Sequence, residues 1–139
     1  MVGATVGYSG TPLPQKLGIK SGHRVLLDGA PGSVELGPLP DGVVLHRRLS
    51  SIGQYDVTVL FAPDRSRLAR RWPILHQRTT QAGALWVCWP KRAAKIPTDL
   101  DDNTVREYGL AHDRVDVKVA AISDVWSGQK FVVRLTDRH

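Results

Sequence analysis

The residues of this chain best suited to hold a ligand are Asp28-Gly29-Ala30-Pro31-Gly32, Arg48, Trp89-Pro90-Lys91-Arg92 and Trp126. Asp28 closes an apolar run, and Gly29 and Gly32 supply the turn after it, the place where nucleotide-binding loops form. The turn carries neither G-x-G-x-x-G nor G-x-x-x-x-G-K-[ST], and Pro31 removes a backbone N–H that a phosphate cradle would use. It therefore reads first as a structural turn. Lys91, with Arg48 or Arg92, offers positive charge, and Trp126 offers an aromatic wall. Together they suit a planar anion such as a nucleotide, held by stacking and charge pairing. The competing reading makes Lys91 a solvated strand end and Trp126 a cover for the sheet. The five histidines are widely separated and none has a Cys, His or carboxylate at ligand spacing, so no metal is expected. No G-x-S-x-G elbow or Cys/His pairing is present, and no catalytic residue is assigned.

The element that must position these groups is Gly83-Ala-Leu-Trp-Val-Cys-Trp-Pro-Lys91. Every residue from Ala84 to Trp89 is apolar, the pattern of a strand buried on both faces. Trp86 and Trp89 are an odd number of residues apart and point to opposite faces, so each is core by default. Pro90 ends the strand, and Lys91 emerges at its carboxyl edge, where open α/β sheets place ligands. Four more strands are expected around it at His23–Asp28, Val43–Arg48, Tyr55–Phe61 and Arg114–Ser123, with Lys130–Leu135 closing a hairpin through Asp124–Gly128. Prolines and glycines at 37–42 leave room for at most a short helix near Ser33–Leu36 in the first crossover. A helix capped at Asp64 or Ser66 runs to about Gln81, with Leu68, Trp72 and Leu75 on one face and Pro73 expected to kink or divide it. Asp101 caps another through about His112. The expected strand order is second, first, third, fourth, sixth, fifth, with the sixth alone antiparallel. The fold class expected is α/β: a single Rossmann-like domain over 1–139, truncated and methyltransferase-like, with a mostly parallel sheet, a C-terminal antiparallel hairpin and residues 1–10 as an extended arm.

Length and charge narrow the classes further. One domain fits 139 residues, and no stretch approaches a membrane span. Residues 1–10 lack the basic start and apolar core of a signal peptide. The lone cysteine, Cys88, sits in the buried strand, so it reads as a small core hydrophobe in a reducing, cytoplasmic protein. The net charge of +6 belongs to the middle of the chain: residues 47–95 hold ten Lys/Arg against two Asp/Glu. Such confinement favours an anionic partner at one face, although a solvated basic surface is the commoner cause. Arg65, Arg67, Arg70, Arg71 and Arg78 of the first long helix read as solvated surface. Without aromatic interleaving or a nucleic-acid motif, specific nucleic-acid binding is not expected.

Several segments together resemble a bacterial family catalogued as domain of unknown function 3052: Gly7-Tyr-Ser-Gly-Thr-Pro-Leu13, Leu17-Gly-Ile-Lys-Ser-Gly22, Gly37-Pro-Leu-Pro40, Gly83–Lys91, Thr98-Asp-Leu100, Val115-Asp-Val-Lys118 and Trp126-Ser-Gly128. The resemblance spans nearly the whole chain and implies a small stand-alone soluble protein. It supplies no reaction, cofactor or catalytic residue. Two readings follow. The favoured one is a non-catalytic, regulatory module that binds an anionic small molecule or a partner protein. The other is an S-adenosylmethionine-dependent transferase of methyltransferase type with a divergent cofactor loop. Its glycine signature is missing, and Arg47-Arg48 stand where such folds carry the acidic residue that grips a ribose.

Overall fold

The computed structural model describes residues 10–139, so the arm expected over 1–10 lies, apart from Gly10, outside the described residues. The elements in chain order are α1 (Leu13–Leu17), β1 (Arg24–Asp28), β2 (Val44–His46), β3 (Tyr55–Phe61), α2 (Arg65–Arg78), β4 (Thr79–Pro90), α3 (Asp102–Ala111), β5 (Val115–Ala121) and β6 (Trp126–Val132). Single 3-10 turns lie at Arg92–Ala94 and Leu135–Asp137. The strands form one sheet in the order β2-β1-β3-β4-β6-β5, as expected from the sequence.

The fold class needs correction. The β1–β2, β1–β3 and β3–β4 pairs are parallel, but β4–β6 and β5–β6 are antiparallel. The chain is therefore mixed α/β with an antiparallel C-terminal half, not a Rossmann-like or methyltransferase-like parallel sheet. Helices are also too few for a doubly wound fold. Among the described residues no helix joins β1 to β2 or β2 to β3. Pro31, Pro38 and Pro40 lack the N–H a helix ladder needs, and the second link spans only 47–54.

β4 is the spine, and its alternation divides the core. Ala84, Trp86 and Cys88 face a cluster with Leu17, Ile19, Val34, Leu36, Phe61 and Trp126, covered by α1 and irregular chain. Leu85, Val87 and Trp89 face the second cluster, with Leu68, Trp72 and Leu75 of α2 and Val105 and Tyr108 of α3. The two tryptophans thus serve opposite faces, as their spacing requires. On the face covered by α1, the Trp86 indole donates to Leu17 O at 3.2 Å.

Both long helices start with an aspartate cap: Asp64 accepts from Arg67 N–H and Asp101 from Thr104 N–H. Pro73 does not divide α2, which is continuous to Arg78. β4 begins at Thr79, directly after the helix and five residues before the expected apolar run. The Thr79 hydroxyl donates to Leu75 O (2.7 Å) and accepts from Thr58 Oγ1 (2.7 Å), tying the helix end to β3.

Candidate functional site

β1, β3 and β4 end on one edge of the sheet, and the β5–β6 hairpin turns there too. Pro90 pairs with Trp126, and beyond it Lys91 N–H donates to Val125 O at 2.7 Å. The chain then runs through the Arg92–Ala94 turn and residues 95–101 to the start of α3. This segment walls a groove of about 780 Å³. Trp89 and Pro90 lie beneath it, and Ile96 (41% exposed) and Val119 (58%) leave apolar surface open to it.

Charge in the groove is unequally committed. Three carboxylates line it, and each already accepts a backbone N–H: Asp99 from Arg65 (2.8 Å), Asp101 from Thr104 (2.7 Å) and Asp102 from Asn103 (2.9 Å). The hydrogen bonds from Thr104 hold the Asp101 carboxyl below its ordinary range, and the nearby Arg92 charge adds a smaller push the same way. Lys91, Arg92 and Lys95 line the same groove and form no ion pair among the described residues. Lys95 is held at φ 56°, a left-handed conformation uncommon outside glycine.

Three of the residues picked from the sequence, Trp89, Lys91 and Arg92, thus share the groove. The others lie elsewhere. Asp28 ends β1, two strands or about 10 Å from the end of β4. It is 6% exposed and its carboxylate is fully engaged: Arg71 donates Nε (3.0 Å) and Nη2 (2.9 Å), and Arg67 donates Nη2 (2.9 Å). Gly29, at φ 75°, leaves space for the Arg67 guanidinium, which a Cβ there would strike. This corner is an internal clamp between β1 and α2. Gly32 borders open space, and Arg48 is exposed beyond the short β2.

Trp126 departs furthest from expectation. It is not at the hairpin tip but starts β6, four residues earlier than the strand expected from the sequence. It is 8% exposed and packs edge-on against Phe61 at 5.2 Å, on the sheet face away from Trp89. It gives the groove no aromatic wall; the exposed apolar surface there comes from Ile96 and Val119, above the largely buried Trp89 and Pro90.

The basic helix is likewise not simply solvated. Arg70 is exposed, but Arg67 and Arg71 hold Asp28 and Arg78 donates to Gly53 O and Ser50 O. Arg24 grips the same loop from β1 through Gln54 O and Ile52 O. The i, i+4 spacing of Arg67 and Arg71 was the available sequence signal; their acidic partner lies 43 residues from Arg71. On the opposite face of the sheet Lys130 is crowded by Lys118 and Lys20, and burial followed by these two charges lowers its pKa. Burial alone pushes the Cys88 thiol far up, as suits a core residue.

Fold and site together define a mixed α/β domain with a groove at its carboxyl edge, lined by three basic and three acidic side chains beside apolar surface. No family model, curated protein or solved structure matches the chain. Among the described residues, no helix is long and apolar enough to cross a membrane, and no group of three His, Cys, Asp or Glu is placed to hold a metal ion.

Proposed function

We propose that this chain is a non-catalytic α/β module that binds an anionic small molecule with a planar or apolar part, a nucleotide-like ligand, in the groove at the end of β4. The observation that carries this reading is the imbalance of commitments there. Each of the three carboxylates accepts a backbone N–H that fixes its position, whereas Lys91, Arg92 and Lys95 have no ion-pair partner among the described residues and are free to turn to a ligand. Beside them lies apolar surface from Ile96 and Val119 on which a ring can rest. Membership of the family resembled in sequence is proposed on the quoted segments, and a reducing compartment on the single, buried Cys88.

Native mass spectrometry of the purified chain shows whether a ligand is retained, and calorimetry against nucleoside mono-, di- and triphosphates tests the class. S-adenosylmethionine in the same panel is expected not to bind. Combined Lys91→Ala, Arg92→Ala and Lys95→Ala should weaken nucleotide binding about tenfold or more, because three exposed charge contacts contribute up to about 1 kcal/mol each. Unchanged affinity in a folded triple variant would refute the groove as the site.

A further inference from the structure

At the opposite edge of the sheet, where β3 and β4 begin and β6 ends, a pocket of about 460 Å³ lies under the end of α2. One of its walls is Arg114, only 2% exposed. Its guanidinium is fixed by two bonds to one residue: Nε donates to His76 Nδ1 (2.9 Å) and Nη2 donates to His76 O (3.3 Å). The third nitrogen, Nη1, is buried and has no hydrogen-bond partner. No carboxylate stands within ion-pair distance of it among the described residues. Asp113 and Asp137 border the pocket but are exposed and unpaired with it.

A buried guanidinium without a counter-charge is among the costliest arrangements in a folded protein. Burial, with a smaller contribution from the nearby Arg138 charge, pulls Arg114 down to about 10. The guanidinium still carries its proton at neutral pH. A bound oxyanion would supply the counter-charge that no described carboxylate gives at ion-pair distance. His76 accepts at Nδ1, so its ring is neutral and carries its proton on Nε2, a donor. Gln54, Gln77 and Gln81 make the remaining wall polar.

We infer that this pocket is an oxyanion site, in which Arg114 Nη1 donates to the carboxylate or phosphate group of a small polar molecule. It lies at the other end of the strands from the β4 groove and does not rest on the nucleotide-like reading of that groove. The guanidinium is already oriented by His76, so binding orders no flexible arginine, and its planar fork suits either anion.

The test uses the full chain and simple probes. Melting is followed in sodium acetate, sodium malonate and sodium phosphate, each against sodium chloride at equal ionic strength. A specific oxyanion should raise Tm by about 2–5 °C at saturation. Arg114→Met keeps the stem and removes the charge; it should abolish the response while leaving Tm equal or higher. The combined Lys91, Arg92 and Lys95 alanine variant should keep the response, which separates this site from the groove. A response to carboxylates alone or to phosphate alone supports the site and names its source. A second readout uses wild-type protein, in case Arg114→Met does not fold. The Arg114 Nε–H resonance should shift on titration with the responding anion. Equal melting in all four salts, or an Arg114 resonance unmoved by them, would overturn the inference.

Discussion

Replacing Asp28 with asparagine should strike the fold rather than a ligand. The carboxylate accepts three charge-assisted hydrogen bonds, two from Arg71 and one from Arg67, at 2.9–3.0 Å. Removing one member of a buried ion pair typically costs about 3–5 kcal/mol. The arginine side chains here remain 27% and 23% exposed, so water recovers part of the loss, and about 2–4 kcal/mol is the expected cost. For a chain of this length that lowers Tm by roughly 6–15 °C. Urea titrations of wild type, Asp28→Asn, Arg71→Met and the double variant form a cycle, and the Asp28–Arg71 coupling should exceed about 1 kcal/mol. Loss of the carboxylate should leave nucleotide affinity in the β4 groove unchanged, since the end of β1 lies two strands away. A stability loss below about 1 kcal/mol with additive single variants would refute the clamp. A loss of binding without loss of stability would return Asp28 to the ligand site.

Two further outcomes test the packing and the amino-edge pocket. Gly109→Ala should destabilise by about 1–3 kcal/mol in urea, because its Cβ would enter the Phe131 ring inside the α3–sheet contact; an unchanged midpoint would mean that the ring moves aside freely. His76 should titrate below 6.5, since burial and then the Arg114 charge disfavour its protonated form, opposed only in part by Asp113. The unfolded chain binds that proton first, so the stabilising contribution is present above pH 6.5 and is lost as pH falls from there through the folded-state pKa. A His76 midpoint at or above 6.5 by NMR would contradict this account.

How much of this was legible in the chain depends on how far each cause reaches. The β4 run from Ala84 to Trp89 marked itself by six consecutive apolar residues, and period-two geometry alone put Trp86 and Trp89 on opposite faces. The aspartate caps, the ends of β1 and β3, and the strand order also followed from local pattern and short connections. The class did not: strands that alternate with helices suggest a parallel sheet, but the loops around β2 hold no helix and the last two strand pairings, β4–β6 and β6–β5, are antiparallel. Nothing local marked the join at Arg78–Thr79, because no breaker stands between α2 and β4. Trp126 looked exposed because Ser127-Gly128 reads as a turn; the real turn lies at 122–125, and a strand start buries the ring against Phe61.

At the candidate site the division is similar. Lys91 and Arg92 were visible as charges just past a strand end. Their lack of ion-pair partners was not, because it depends on where Asp99, Asp101 and Asp102 are held by helix N–H groups relative to them. Asp28 was read as a ligand residue because its two arginines stand 39 and 43 positions away, on a helix whose rotation only packing decides. Arg114 carried no signal at all, since burial of a single charged side chain is a property of everything packed around it. By itself the sequence determined which residues are apolar, where α2, α3 and the first three strands begin to within a residue, and that one strand lies at the centre. Only the tertiary structure decided which charges are spent inside the fold and which stay free. A charge pairs across whatever distance the packed elements bridge, and no local period records that distance.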